Sequence, residues 1–159
     1  MKRATDNGIF HRDIKPTNII VHDNVGYLID WGIATTSSQV DKGKLSATLA
    51  FASMDVLNSI RTGESYSYSI KDEIESIFYT LVYILCDGDL RWKVTGSITE
   101  MYDSRYVTVN KHFEEQLLRA PEECRPILDE FHQRVFTNES KGVQVDEIIK
   151  CFNDKLRDV

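Results

Sequence analysis

Two short stretches, "HRDIKPTN" from His11 to Asn18 and "DWG" from Asp30 to Gly32, bring together side chains whose types and spacing suit one reaction. Asp13 can orient and deprotonate an attacking hydroxyl, and Lys15, two positions on, can neutralise a transferred phosphate. Asn18 can bind a magnesium ion through its side-chain oxygen, and Asp30 supplies a carboxylate able to bridge metal ions to nucleotide phosphates. Phosphoryl transfer asks a protein mainly for positioning and charge neutralisation, which is what this inventory offers. A single Asp or Asn in a turn commonly does no more than cap or tighten the backbone. Four such groups in this order point to more than local capping.

These side chains need elements to hold them. "NIIVH" and "GYLID" are β-rich runs separated by "DNV", which predicts a small antiparallel hairpin with a turn containing Gly26. That hairpin would return the chain from Asn18 to Asp30. From Ile70 to Cys86, Ile74, Ile77, Phe78, Leu81, Val82 and Leu85 recur at helical spacing with further apolar residues on the remaining face, so a buried central helix is expected. Three later segments, "NKHFEEQLLR", "RPILDEFHQRVF" and "VDEIIKCFNDKLRDV", read as amphipathic helices packed around it, with Pro121 and Pro126 at the breaks between them. The expected fold is mainly α with a small β-hairpin at its functional edge, a single unit over residues 1–159.

Composition narrows the function classes. With 19 Lys+Arg against 25 Asp+Glu the formal net charge is -6, and neither sign forms long blocks, which disfavours a sequence-independent grip on nucleic acid. Cys86, Cys124 and Cys151 are odd in number and show no C-x-x-C, so neither a disulfide framework nor a zinc site is suggested. Reduced thiols in a cytoplasmic or nuclear protein fit best. "IFYTLVYILC" is too short to span a bilayer and no signal-like apolar run opens the chain, so no membrane association is expected. His22, His112 and His132 are scattered and read as surface or satisfied core histidines. The oligomeric state is left open.

"HRDIKPTN", then "LIDWGIA", then "SATLAFASMDVL", then "DEIESIFYTLVYI" resembles the carboxy-terminal lobe of a protein kinase in order and separation. Within the kinases it is most similar to the fungal-type protein kinases, and more distantly to the casein kinase group. The resemblance is strong from about Ala4 to Trp92 and weak through the later helices. It implies a catalytic loop at 10–18, a metal-binding turn at 30–32, an activation segment at 30–53, a central helix at about 70–86 and peripheral helices at about 110–157. It implies a serine/threonine kinase, ATP and Mg2+ as cofactors, Lys15, Asn18 and Asp30 as nucleotide-side groups, and a protein as substrate. Lys15 favours Ser/Thr over Tyr by the same resemblance. His11 supports the loop from below. Arg12 resembles the arginine that pairs with an activation-loop phosphate, or else holds the loop through backbone carbonyls. Thr48 matches the threonine that bonds the catalytic aspartate and lysine. Where the family has Asp at the start of the central helix to hold the loop backbone, this sequence has Glu73 preceded by Asp72, and either carboxylate can serve.

Departures from the pattern set the alternatives. The sequence has no G-x-G-x-x-G and no V-A-I-K-like strand, and only ten residues precede His11, so the nucleotide-covering lobe is expected to be absent. Trp31 stands where Phe is usual, and "FAS" where A-P-E is usual. The leading reading is a serine/threonine kinase fragment, inactive as an isolated chain. The second is a catalytically dead kinase-like module that docks to a partner. The third is a small-molecule phosphotransferase, against which Arg12, Lys15 and "SATLAFAS" argue. "TTSSQVDKGKLSAT" is expected to be a mobile surface loop, in which Thr35, Thr36, Ser37, Ser38 and Ser46 are candidate phosphorylation sites that would pair with Arg12.

Overall fold

The computed structural model describes residue 4 and residues 7–23, 25–36 and 48–137. Strand β1 (Ile19–His22) pairs antiparallel with β2 (Val25–Leu28), with Ile19 opposite Leu28 and His22 opposite Val25. The expected hairpin forms, but Gly26 is a strand residue opposite Val21 rather than part of the turn. Asp23 takes the left-handed conformation there, at φ 49°. A short polar side chain tolerates that geometry, so the turn needs no glycine.

Helix α1 (Met54–Thr62) begins at Ser53, whose hydroxyl accepts the Val56 N–H at 3.2 Å, and ends at Gly63. Gly63 closes it in the left-handed conformation at φ 73°, where a side chain would be strained. Helix α2 (Ile70–Leu85) is the expected central helix, with Cys86 as its cap rather than its last turn. Its start is fixed by Asp72, whose carboxylate accepts the Ser69 N–H at 2.7 Å. It is not simply apolar all round. Asp72, Glu73, Glu75, Ser76 and Thr80 are buried together with Ile74, Phe78, Tyr79 and Val82. Each of those buried carboxylates has hydrogen-bond donors supplied from other parts of the fold.

Helix α3 (Ile98–Lys111) starts with a reciprocal cap, Ser97 Oγ accepting from the Glu100 N–H at 3.2 Å and the Glu100 carboxylate accepting from the Ser97 N–H at 3.1 Å. Neither α1 nor α3 is among the helices expected from the sequence. The buried stripe of α3 is Met101, Arg105, Thr108 and Val109, so half of its inward face is polar and the periodicity is hidden. The expected helix from Asn110 is divided in the structure. Lys111 ends α3, His112 bends the chain, and α4 (Phe113–Leu117) follows. Helix α5 (Arg125–His132) carries Pro126 in its first turn, where a missing N–H costs nothing, and continues into a π-helical turn at Gln133–Thr137. The last expected helix, "VDEIIKCFNDKLRDV", lies outside the described residues.

Phe78, with no exposed surface, is the centre of the main core. Its ring meets those of Phe113, Phe131 and Phe136 at centroid distances of 5.4, 5.5 and 5.2 Å. A second cluster of Ala52, Val56, Leu57 and Tyr68, with Phe10 and Leu49 against it, packs beside the His11–Asn18 stretch, where Arg12 lies over the Tyr68 ring. Among the described residues no helix is long and apolar enough to cross a membrane.

Candidate active site

The stretch His11–Asn18 is bound at both ends to α2 and to the hairpin. Arg12 adopts φ 68°, a strained value for a bulky residue. Glu73 holds it there. One carboxylate oxygen accepts the His11 N–H at 2.9 Å, and the other accepts the Arg12 N–H at 2.8 Å and the Tyr68 hydroxyl at 2.7 Å. Of the two carboxylates that open α2, Glu73 therefore carries the loop backbone. Asp72 turns the other way, to Ser53 and to the Tyr66 hydroxyl at 3.0 Å. Burial pushes the Asp72 carboxyl up, and its hydrogen bonds from Ser53, Ser69 and Tyr66 offset only part of that.

His11 is fully buried under the loop. Its Nε2 lies 2.9 Å from the Ile29 carbonyl oxygen, and its Nδ1 accepts the Asp13 N–H at 3.3 Å. The first contact makes Nε2 the protonated nitrogen and Nδ1 the acceptor. The Arg12 guanidinium lies over the Tyr68 ring, 5.7 Å from its centroid. Among the described residues the guanidinium makes this cation–π contact and no bond to a backbone carbonyl, the second of the two roles the sequence left open.

Asp13 is the hub of the site. Its Oδ1 accepts the Thr48 hydroxyl at 3.0 Å and the Thr48 N–H at 3.3 Å. Its Oδ2 accepts Lys15 Nζ at 2.6 Å and Asn18 Nδ2 at 3.1 Å. Lys15 Nζ also donates to Thr48 Oγ1 at 3.0 Å, which closes a triangle of Asp13, Lys15 and Thr48. Burial alone would raise the Asp13 carboxyl, but the bonds from Lys15 and Thr48 and the lysine's charge outweigh it and hold the group below its ordinary value. The carboxylate is thus ionised and fully oriented.

Asn18 ends a turn at Pro16–Asn18 and is 5% exposed. Its amide group donates to the Asp13 carbonyl at 2.9 Å as well as to the carboxylate, which leaves Oδ1 uncommitted among the described residues. A hard, neutral oxygen in that position suits a magnesium ion. The hairpin then returns the chain to Asn18, since the Ile29 N–H donates to the Asn18 carbonyl at 2.8 Å. Asp30 follows directly, at φ 61°, and its exposed carboxylate has no hydrogen-bond partner among the described residues. A Cβ at Gly32 would sit 3.3 Å from Asp30 Oδ1, so glycine gives that carboxylate room over the turn. Trp31 Nε1 donates to the Leu28 carbonyl at 3.0 Å, and its ring stands edge-on to His11 at 4.7 Å. Among the described residues Asn18 Oδ1 and the Asp30 carboxylate are without partners, and both are hard oxygens of the kind a magnesium ion takes. Among the described residues no group of three or more His, Cys, Asp or Glu could hold a metal, so the remaining ligands would come from phosphate and water.

Thr35 is pinned by a two-bond bridge to Phe10, its N–H on the Phe10 carbonyl at 3.0 Å and its carbonyl on the Phe10 N–H at 2.9 Å. Thr36 is exposed, and Ser37, Ser38 and Ser46 lie outside the described residues. Sequence patterns did not point to Tyr68, Ser53, Glu75 or Arg105, all buried behind the site. Only Ser53 carried a signal, as a serine one residue ahead of an amphipathic run.

Residues 3–85 match the model of a family described as fungal protein kinase, a little over half of the chain. Two probable casein kinase I homologs of Encephalitozoon cuniculi are 35% and 32% identical to it, over 58% and 62% of this chain and 33% and 32% of their own. A serine/threonine-protein kinase of Saccharomyces cerevisiae is 27% identical over 84% of this chain and 12% of its own. The chain thus spans about a third of the length of the two casein kinase I homologs.

Proposed function

The chain belongs to the fungal protein kinase family, and on that premise we propose that its 159 residues are the carboxy-terminal catalytic lobe of a serine/threonine kinase. The reaction would be phosphoryl transfer from ATP to a protein hydroxyl. The observation that carries the reading is the Asp13 carboxylate, bonded by Lys15, Asn18 and Thr48 and anchored through Glu73. Asp13 accepts the hydroxyl proton of the substrate as that oxygen attacks. Lys15 lies where it can exchange Asp13 for a phosphate oxygen. Asn18 and Asp30 would hold magnesium, and magnesium-ATP, when bound, supplies the phosphoryl group and neutralises its charge. Thr48 keeps Asp13 aimed while Lys15 moves.

The 159 residues include no glycine-rich cover and no phosphate-anchoring lysine strand, so we infer weak ATP binding and negligible turnover for this chain alone. Fixed orientation contributes about 7–11 kcal/mol of barrier lowering in well-aligned reactions, and an open half-site forgoes most of it. Magnesium-ATP binding and phosphate transfer by residues 1–159, beside an Asp13→Asn control, test this directly. Robust turnover abolished by the substitution would overturn the half-site reading and establish a one-lobed kinase. A docking module without catalysis is the second reading. It is favoured by the exposed hairpin residues Ile20, Val21, Val25 and Tyr27, with Val21 73% exposed. Cys86 and Cys124 are free thiols, which supports a cytoplasmic or nuclear setting.

A further inference from the structure

Arg105 is the largest fully buried side chain of the described residues, and it spends its hydrogen bonds on main-chain carbonyls far away in sequence. Nη1 donates to the Ala52 carbonyl at 2.5 Å, and Nη2 donates to those of Ala50 at 2.6 Å and Leu49 at 3.2 Å. The guanidinium stacks on Tyr79, 4.4 Å from its centroid. Tyr79 in turn donates its hydroxyl to Glu75 at 2.5 Å, and Glu75 accepts the Met54 N–H at 2.8 Å. Residues 49–54 are therefore held by Arg105 of α3, which donates to their carbonyls, and by Glu75 of α2, which accepts the Met54 N–H. Thr48 is the next residue upstream, and the Phe51 N–H donates to its carbonyl at 2.9 Å.

We propose that Arg105 is a positioning residue for the Asp13 site: by clamping the carbonyls of Leu49, Ala50 and Ala52 it sets the place of Thr48, which holds the Asp13 carboxylate. Stability alone gives little reason for an arginine there. Burying a guanidinium is costly, and apolar replacements of buried charges are often neutral or stabilising. What a well-packed apolar side chain cannot do is bind three diverging carbonyls at once, as the planar fork of arginine does. Thr48 is joined to the clamped segment by its own peptide bond and by the Phe51 N–H on its carbonyl, so its register is set from the 49–54 side. The importance of that register for catalysis rests on the kinase reading, whereas the link from Arg105 to Thr48 does not.

The test is amide NMR on the full 159-residue chain with Arg105→Lys and Arg105→Met. The Thr48 amide proton, bonded to a carboxylate, should move upfield, and its hydrogen exchange should quicken at least tenfold beyond any change at Val82 and Leu128, which report global stability. Lysine, keeping the charge and one or two bonds, should restore part of both effects. Thr48 following Val82 and Leu128 alone would overturn the proposal. Should neither variant fold, exchange of the unaltered chain in mild urea decides it. Opening of Thr48, Phe51, Ala52 and the Arg105 guanidinium protons as one unit is expected, and Thr48 opening apart from them overturns it. No readout needs phosphate transfer, so an inactive chain leaves this result standing, and a failed link leaves the kinase reading untouched.

Discussion

Glu73 accepts the Arg12 N–H at 2.8 Å while Arg12 sits at φ 68°, so a buried glutamate on the central helix maintains the one strained residue of the His11–Asn18 stretch. The same carboxylate also takes the His11 N–H and the Tyr68 hydroxyl. Replacing it with Gln leaves too few acceptors for three donors and turns an amide N–H toward one of them. We expect Glu73→Gln to cost about 1–3 kcal/mol, the usual penalty for an unsatisfied buried donor. Urea unfolding measures it, and an unchanged midpoint would count against Glu73 as the loop anchor.

Glu75 makes stability depend on pH near neutrality. Burial raises its carboxyl from an ordinary 4.5 to about 7, only partly offset by the Tyr79 hydroxyl, the Met54 N–H and the Arg105 charge, while the Asp72 charge adds to the rise. The folded chain thus holds this proton more tightly than the unfolded chain does. Its contribution to stability is full below the unfolded value and falls away as pH rises from about 4.5 to about 7. At roughly 1.4 kcal/mol per pH unit the loss is on the order of 3 kcal/mol. Glu75→Gln should remove this slope from a plot of unfolding free energy against pH, and an identical slope in both proteins would refute the assignment.

The hairpin surface should tolerate charge in the isolated chain. Val21 and Tyr27 are 73% and 47% exposed, so Val21→Lys and Tyr27→Lys should each change stability by no more than about 0.5 kcal/mol. Thermal unfolding checks this, and a large loss at either site would mean that the hairpin packs against something within the chain.

Phosphorylation is expected between Thr35 and Ser46, where a phosphate can pair with Arg12 in place of its packing on Tyr68. Thr36, Ser37, Ser38 and Ser46 are better candidates than Thr35, whose backbone is tied to Phe10. Phosphopeptide maps of the protein from its own cells that cover this stretch and find it bare would remove the regulatory role.

Local chemistry was legible in the sequence because it depends on spacing within a few residues. Asp13, Lys15 and Asn18 fall within six residues, a four-residue strand pairs with its neighbour across a tight loop, and the central helix expected over Ile70–Cys86 runs from Ile70 to Leu85. The sequence also limited the anchor of the loop to Asp72 or Glu73. Only the tertiary structure chose between them, since adjacent residues on a helix point about 100° apart and one of the two directions faced His11 and Arg12. The same holds for Arg105, which reads as one more charge in an unremarkable stretch. Its carbonyl partners lie 53 to 56 residues earlier. A bond to a main-chain oxygen leaves no mark on the identity of the residue that supplies it, so no pattern in the sequence pairs the two, and only the folded chain brings them together.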